Sequence, residues 1–583
     1  MADPFTETDT ILAIDLGLCT TRATLFDLVD GSYRFIAIGK YPSTFTAPLN
    51  DPRISVIQAI EQLQNKTGRG LLTSDNTLIS PSENGIGIDC LINVFSAGPA
   101  LKTVLVGLVK DGSLRSITNL SDTSYTTVID CLGMGDQRKP DQWIDTILDI
   151  LPDIILIAGG TDNGASNSIR QLTDYVGLAC YLIPEDKRPS ILFTGNQSLA
   201  DGVKESFESL VPSFRISSNI RPFGNVEDLQ PAARDLSDMV TQINRTRIPG
   251  FEELYAWSGG NTLPSCYAHG RMVRFMSTAY QSKKGILAVD IGASAATISA
   301  GFDGQLIQGI YPHLGLGMVL SNLLEFTSLE DITRWLTIEI APQYIQDYLH
   351  QKASYPSSIP ATREDMLIEQ AVTRQALYLA AGLIKKKIPS KIPHLFDSAL
   401  PEFEAILVSG SVLVNAPTFG QALLMLLDSL QPVGTATFIL DQNHLLPMLG
   451  AIADVNPSVP VQVLESGVFE GLAFVVTPVS SARQGTQLLS GSLIYNDGKE
   501  ITFEVDQGTL KVLPLPIGRS GKLILEPRHH VDVGFGFGGK GEVQVSGTYL
   551  GVVFDARGRP LKLSVNDTQR REMMKNWLWA LGG

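Results

Sequence analysis

Hydrophobic positions along the chain fall into two regimes. Up to about residue 460, short unbroken apolar runs alternate with stretches of helical spacing. Runs such as Ile11–Ile14, Ile154–Ile157, Ile191–Phe193, Ile286–Val289 and Thr437–Leu440 predict strands buried on both faces. Phe35–Ile38, Leu71–Ile79, the start of Leu91–Lys110 and Glu404–Ser411 are further expected strands. Apolar residues three and four apart predict helices over Ser55–Asn65, Asp141–Leu151, from about Ser168, over Asp228–Gln242, Gly250–Trp257, Glu364–Lys386 and Phe419–Leu430, and from Leu446. Buried strands alternating with helices predict an α/β fold. Beyond Val461 the pattern shortens. Ile501–Val505, Lys522–Leu525, Val543–Val545 and Tyr549–Phe554 are separated by turn signals such as Asn496-Asp497-Gly498 and Asp506-Gln507-Gly508, the pattern of an all-β sandwich or barrel. Gly534–Gly541 is not followed by a helix, so a bulged or exposed hairpin is expected there in preference to a phosphate loop. A last helix is expected from a cap at Asp567 to about Leu581. Its stripe of Met573, Met574, Trp577 and Trp579 is either docked core or a partner-binding face.

The turns that end these runs carry the chemistry. Ile11–Phe26 reads ILAIDLGLCTTRATLF: a buried strand, Asp15, Gly17, hydroxyls at Thr20 and Thr21, then a second strand. In such a hairpin the glycine lets backbone amides approach a phosphate, and the carboxylate can hold a metal ion or its waters. A single copy is equally well a tight turn. A second copy stands at Ile286–Ala300, ILAVDIGASAATISA, with Asp290, Gly292, Ser294 and Thr297. The aspartates lie 275 positions apart (290 − 15), so the pair predicts a duplicated fold with a ligand between its halves. Two other strand ends are rich in glycine. Pro152–Asn167 ends in Gly159-Gly160-Thr161-Asp162, and Glu404–Ser411 ends in Ser409-Gly410-Ser411. Neither contains a Rossmann or P-loop fingerprint. Ser96-Ala97-Gly98-Pro99 is either a turn beside a ligand or close packing of strand on helix, and Gly309–Leu320 is a candidate cleft lining.

Composition narrows the class. Apolar residues make up 44% of the 583 and charged residues 18%, which marks a globular chain of two to four domains. The net charge of −15 argues against nucleic-acid and membrane-surface binding. Residues 461–583 carry 13 Lys/Arg and 12 Asp/Glu, a net of +1 (13 − 12), while the remainder carries −16 (−15 − 1), so the C-terminal region is expected to be a separate module. Five scattered cysteines, a polar acidic opening segment and the lack of an apolar run of about 18 residues lead to the expectation of a cytoplasmic protein without membrane insertion.

The two hairpins resemble those of the actin, sugar kinase and DnaK-type chaperone superfamily. The blocks IDLGLCTTRATLF, VFSAGPALKTVLVGLV, PDIILIAGGTDNGASN, ILAVDIGASAATIS, LGLGM and ILVSGSVL, in that order, resemble the MutL/GlmL accessory proteins of adenosylcobalamin-dependent glutamate mutase and ornithine aminomutase over roughly residues 10–460. The resemblance implies duplicated actin-like (ribonuclease H-like) ATPase-fold halves around a cleft. The first half is expected at 1–270 with family-specific insertions, the second at 271–460, and the C-terminal β module at 461–583. It also implies ATP or ADP with magnesium as cofactor and a cobalamin-dependent mutase as client. Asp15 and Asp290 would face the metal through water; Gly17, Thr20, Thr21, Gly292 and Ser294 would cradle phosphates; Ser409, Gly410 and Ser411 would flank the adenosine. Gly159, Gly160, Thr161 and Asp162 form a family loop without an assigned role.

The motifs also depart from the family. Its first hairpin reads D-x-G-S-T-x-T-K, where this chain has Leu18, Cys19 and Arg22 at the Ser, Thr and Lys positions. Its second reads D-I-G-G-A-T-T-D, where the last five positions here are Ala293, Ser294, Ala295, Ala296 and Thr297. Each lost charge-assisted contact is worth roughly 1.5–3 kcal/mol. The expectation is therefore a nucleotide-binding accessory protein that is at most a slow ATPase. The alternative is an actin-like scaffold or filament former capable of self-assembly without catalysis. A sugar or acid kinase is disfavoured, because no catalytic aspartate precedes the second hairpin.

Overall fold

The computed structural model describes residues 9–224, 226–280, 284–396 and 399–583. Its organising element is the first hairpin. Strand Thr10–Leu16 is buried along its whole length, antiparallel to Thr20–Val29 and parallel to Cys90–Phe95. Ser32–Pro42 and Thr262–Pro264 complete a five-stranded sheet in the chain order third, second, first, fourth, fifth. The second hairpin, Gly285–Ile291 with Ala296–Phe302, begins a sheet of the same order with Gln305–Tyr311, Phe403–Ser409 and Gly434–Leu440. The repeated topology, with helices packed on each sheet, is a duplicated actin-like α/β fold.

The halves share a core. Ile11 and Ala13 from one sheet and Ile286 and Ala288 from the other pack with the helices Ser265–Ala279 and Leu445–Ile452. These two helices touch backbone to backbone: a Cβ on Gly450 would lie 2.0 Å from the Ala268 carbonyl oxygen, so only glycine permits the crossing. The expected division between residues 270 and 271 falls inside Ser265–Ala279.

Between the fourth and fifth strands of the first half the chain builds another sheet. Leu101–Gly107, Thr126–Gly133, Ile154–Ile157, Ser190–Phe193 and Phe214–Ile216 run parallel, in the order second, first, third, fourth, fifth. The apolar positions of Leu91–Lys110 thus divide between two sheets. Leu71–Ile79, expected as a strand, forms a single bridge between Leu72 and Leu78, because the turn at Asp75-Asn76, with Asn76 at φ 59°, splits the run.

The C-terminal region differs from expectation in its attachment. Gly471–Thr477 pairs antiparallel with Gly434–Leu440, Val552–Asp555 pairs with Gly471–Thr477, and Leu510–Leu513 closes the edge. These strands extend the second half's sheet to eight. A four-stranded antiparallel sheet of Gln487–Tyr495, Glu500–Asp506, Ser520–Pro527 and Gly541–Ser546 packs over the extension through a shared apolar core. The shortened periodicity marks a change of topology rather than a detached module. Position 461 lies inside the helix Ser458–Glu465. Buried ion pairs lock the junction: Asp428 meets Arg374 at 2.9 Å and Arg557 at 2.6 Å, and Asp555 meets Arg557 at 2.8 Å and Arg559 at 2.6 Å.

The glycine-rich segment Gly534–Gly541 connects two paired antiparallel strands, with the Gly534 and Gly536 amides donating to Asp532 Oδ1. The last helix spans Asp567–Ala580 and is capped by Asn566 rather than Asp567. Met574 and Trp577 are docked, whereas Trp579 is 80% exposed.

Candidate functional site

The two D-x-G turns open into one cavity of about 820 Å³ between the halves. Their local geometry is the same. The Gly17 amide donates to the Thr20 carbonyl at 3.1 Å, and the Gly292 amide to the Ala295 carbonyl at 3.0 Å. Asp15 and Asp290 stand at matching places on matching central strands, and both line the cavity.

The imidazole of His444 lies between the two carboxylates. Its Nε2 is 3.9 Å from Asp15 Oδ2 and its Nδ1 is 3.7 Å from Asp290 Oδ1. His444 occupies the left-handed region at φ 57°, immediately before the helix Leu445–Ile452. That turn is held by Asp441, whose carboxylate accepts the Leu445 and Leu446 amides at 2.9 Å each. Burial raises the Asp441 carboxyl above its ordinary range. Behind it, His269 contacts Ser299 Oγ at 3.1 Å, and burial pushes its imidazole down to about 4.

Each aspartate has a side-chain partner. Arg22, the cross-strand neighbour of Asp15, donates to Asp15 Oδ2 at 2.7 Å. Asp15 is 1% exposed and its Oδ1 has no protein partner among the described residues. Ser409 stands beside Asp290 on the adjacent parallel strand and donates to its Oδ1 at 2.7 Å.

The residues singled out from the sequence separate into groups. Gly17, Thr20, Gly292, Ser294, Gly410 and Ser411 line the cavity with the two aspartates. Thr21 does not: strand alternation turns it to the opposite face, where its hydroxyl lies 2.8 Å from that of Ser55 on the helix Pro52–Thr67. Ser409 is 2% exposed and acts on Asp290 instead of flanking a ligand. Gly410, at φ 118°, makes the sharp exit from its strand, where a Cβ would lie 2.2 Å from the Ile291 carbonyl oxygen. Gly159, Gly160, Thr161 and Asp162 belong to the inserted sheet and lie outside this cavity.

Three side chains of the cavity belong to no motif: Lys352, Arg363 and His444. Lys352 is paired with Glu369 at 2.7 Å. Strand, polar turn, helix was visible around Asp441, and that pattern is the sequence signal for His444. Lys352 and Arg363 sit on ordinary helices at no diagnostic spacing. Cys19 also lines the cavity, but burial raises its thiol to about 11, so it stays protonated at neutral pH. Among the described residues, no group of three or more His, Cys, Asp or Glu converges as a direct metal-ligand set.

A duplicated actin-like fold with paired aspartate hairpins at one cleft defines the class. The MutL protein family model matches residues 11–468, and the chain belongs to that family. Protein MutL of Clostridium tetanomorphum is 20% identical over 400 residues, which cover 64% of this chain and 84% of that protein. Among solved structures, nucleotide-free acetone carboxylase aligns at 12% identity with a TM-score of 0.31, covering 86% of this chain and 81% of its own. Nucleotide-free diol dehydratase-reactivating factor aligns at 10% identity with a TM-score of 0.30, covering 79% and 100%. No helix among the described residues is long and apolar enough to cross a membrane.

Proposed function

We propose that this protein is an actin-fold accessory factor that binds a nucleotide in its cleft, turns it over very slowly or not at all, and acts on a protein client, for which a cobalamin-dependent mutase is the first candidate. Family membership supports the accessory role. The observation that carries the nucleotide reading is the convergence of both D-x-G turns, with Arg22, on one cavity of about 820 Å³, a size suited to a nucleotide. Gly17, Thr20, Gly292 and Ser294 are assigned to the phosphates, and Gly410 and Ser411 to the adenosine side.

Magnesium fits the donor set through water. Asp15 Oδ1 and Ser294 Oγ are buried atoms without protein partners among the described residues, and both belong to side chains that line the cavity. Asp15 and Asp290 would hold the hydrated ion, which would neutralise phosphate charge. The protein's own side chains oppose turnover. Asp15 is already paired with Arg22, His444 sits between the carboxylates, and the hydroxyls expected at positions 18 and 19 are absent. Phosphoryl transfer depends on positioning and electrostatic stabilisation, so these substitutions lower rate more than binding.

Calorimetric titration with Mg-ATP, run beside a phosphate-release assay, tests the reading on wild type and on Asp15→Ala. Measurable binding with turnover well below about 1 per second is expected. Turnover at or above that rate, lost in Asp15→Ala, would establish a working ATPase, and no binding at all would overturn the nucleotide assignment.

A further inference from the structure

The inserted parallel sheet has a site of its own, independent of the cleft between the halves. Its chain enters at Leu101–Gly107, passes to one side for Thr126–Gly133, then crosses to the other side for Ile154–Ile157. The first and third strands are therefore neighbours whose connections depart in opposite directions. In an open parallel sheet, the crevice beyond the carboxyl ends of two such strands is where ligands bind.

A cavity of about 400 Å³ lies at that position. Three of its walls follow carboxyl ends of strands: Leu108, Val109, Asp111, Gly112 and Ser113 after the first, Ala158–Thr161 after the third, and Asn219–Arg221 with Gly224 beyond the last. It shares no lining residue with the larger cleft. Gly159 and Gly160 of the family loop form one wall, both at positive φ, 147° and 71°. A side chain on Gly159 would press on Ile169 Cδ1 at 2.7 Å and Leu108 Cγ at 2.9 Å.

Arg221 and two loop amides offer donors to an anion, with Asp111 the one acidic residue of the lining. Arg221 lines the cavity and has no carboxylate partner among the described residues; its guanidinium donates to Ser116 Oγ at 3.1 Å and to the Gly224 carbonyl. The amides of Gly160 and Thr161 donate to no protein acceptor among the described residues. The loop is held rigidly: Asn219 Nδ2 donates to the Gly160 carbonyl at 3.0 Å and to Asp162 Oδ1 at 2.9 Å. On the opposite wall, Ser113 Oγ accepts the Leu108 and Val109 amides at 2.8 and 3.1 Å, and Val109 is left 61% exposed. A cation and free amides thus sit beside an exposed apolar surface.

We propose that this crevice binds a phosphate-bearing mononucleotide, with Arg221 and the Gly160–Thr161 amides on the phosphate and Leu108–Val109 against the planar base. The family loop Gly159–Asp162 is then a ligand loop.

Flavin mononucleotide, followed by its fluorescence on titration with the full chain, is the probe, with AMP, CMP and inorganic phosphate as competitors. Saturable binding is expected, displaced by the other phosphates. Arg221→Gln should weaken it about tenfold or more. Val109→Asp, at an exposed position that folding tolerates, should weaken it comparably by placing a carboxylate at the mouth. Arg22→Ala, in the cleft between the halves, should leave it unchanged. Thermal melting checks that each variant is folded. No saturable binding of any probe up to millimolar concentration would overturn the proposal. So would binding that both crevice variants leave intact, or that Arg22→Ala abolishes.

Discussion

The Arg22 guanidinium contacts Asp15 Oδ2 at 2.7 Å across adjacent strands of the first hairpin, and Asp15 is 1% exposed. The cleft therefore contains a carboxylate already neutralised by the chain. An arginine that keeps its charge and reach can turn from carboxylate to phosphate when a nucleotide enters.

Arg22→Gln removes that partner and leaves a buried carboxylate uncompensated. Breaking a buried pair from one side costs about 3–5 kcal/mol. Since Arg22 is itself 20% exposed, the lower end of that range is expected in urea unfolding at pH 7. Mg-ATP affinity should also fall about tenfold or more. Unchanged stability and affinity would mean that the pair contributes to neither.

Asp428 is the buried counter-ion of both Arg374 and Arg557, and so ties the long helix Arg363–Lys385 to the segment after Val552–Asp555. Asp428→Ala leaves the buried Arg374 guanidinium without a carboxylate and Arg557 with Asp555 alone. A loss of at least about 3–5 kcal/mol in chemical unfolding is expected. The same junction predicts that a chain ending at residue 460 does not fold independently, because it lacks three strands of the eight-stranded sheet. A soluble 1–460 fragment with a cooperative melt would contradict this.

Duplication was legible because strand, aspartate and glycine recur together in both copies, and apolar continuity marked the buried strands around them. Helices with strong periodicity, such as Phe419–Leu430, fell where expected. Attachment of the C-terminal strands was not legible, since an apolar run such as Leu472–Val476 does not reveal which edge it will join. Thr21 was misplaced because the motif counts hydroxyls while strand pleating sends alternate ones to opposite faces. Ser409 was placed beside a ligand because its parallel register with Asp290 is a tertiary fact. His444 was missed for the same reason: the residues that it stands between are 429 (444 − 15) and 154 (444 − 290) positions away.

His269 supplies a pH dependence. Burial lowers its imidazole from 6.5 to about 4, with Asp290 opposing that shift and His444 reinforcing it. Its folded pKa is depressed, so the unfolded chain binds more protons between pH 4 and 6.5. Stability is full above about pH 6.5 and falls as pH drops towards 4, by about 3 kcal/mol from this group. Unfolding free energies measured from pH 7.5 to 4.5 should show this slope, and His269→Gln should flatten it. An equal slope in the variant would assign the pH dependence to other groups.

The separation of Asp15 and Asp290 by one imidazole predicts how the cleft responds to magnesium. His444 approaches both carboxylates, at 3.9 and 3.7 Å, and so narrows the space in which a hydrated cation held by both would sit. Its backbone at φ 57° and the Asp441 clamp on the following helix fix it there. His444→Ala removes the ring while leaving the clamp, Arg22 and both aspartates in place. ATP affinity measured with and without magnesium separates the effects. In wild type magnesium should tighten ATP binding only slightly, because Arg22 already pairs with Asp15 and the His444 ring narrows the space for a hydrated ion. In His444→Ala, magnesium should tighten ATP binding by about tenfold, the scale of one additional charge-assisted contact. If magnesium has no greater effect in the variant than in wild type, the imidazole is not what limits cation access, and the pairing of Asp15 with Arg22 is the remaining cause.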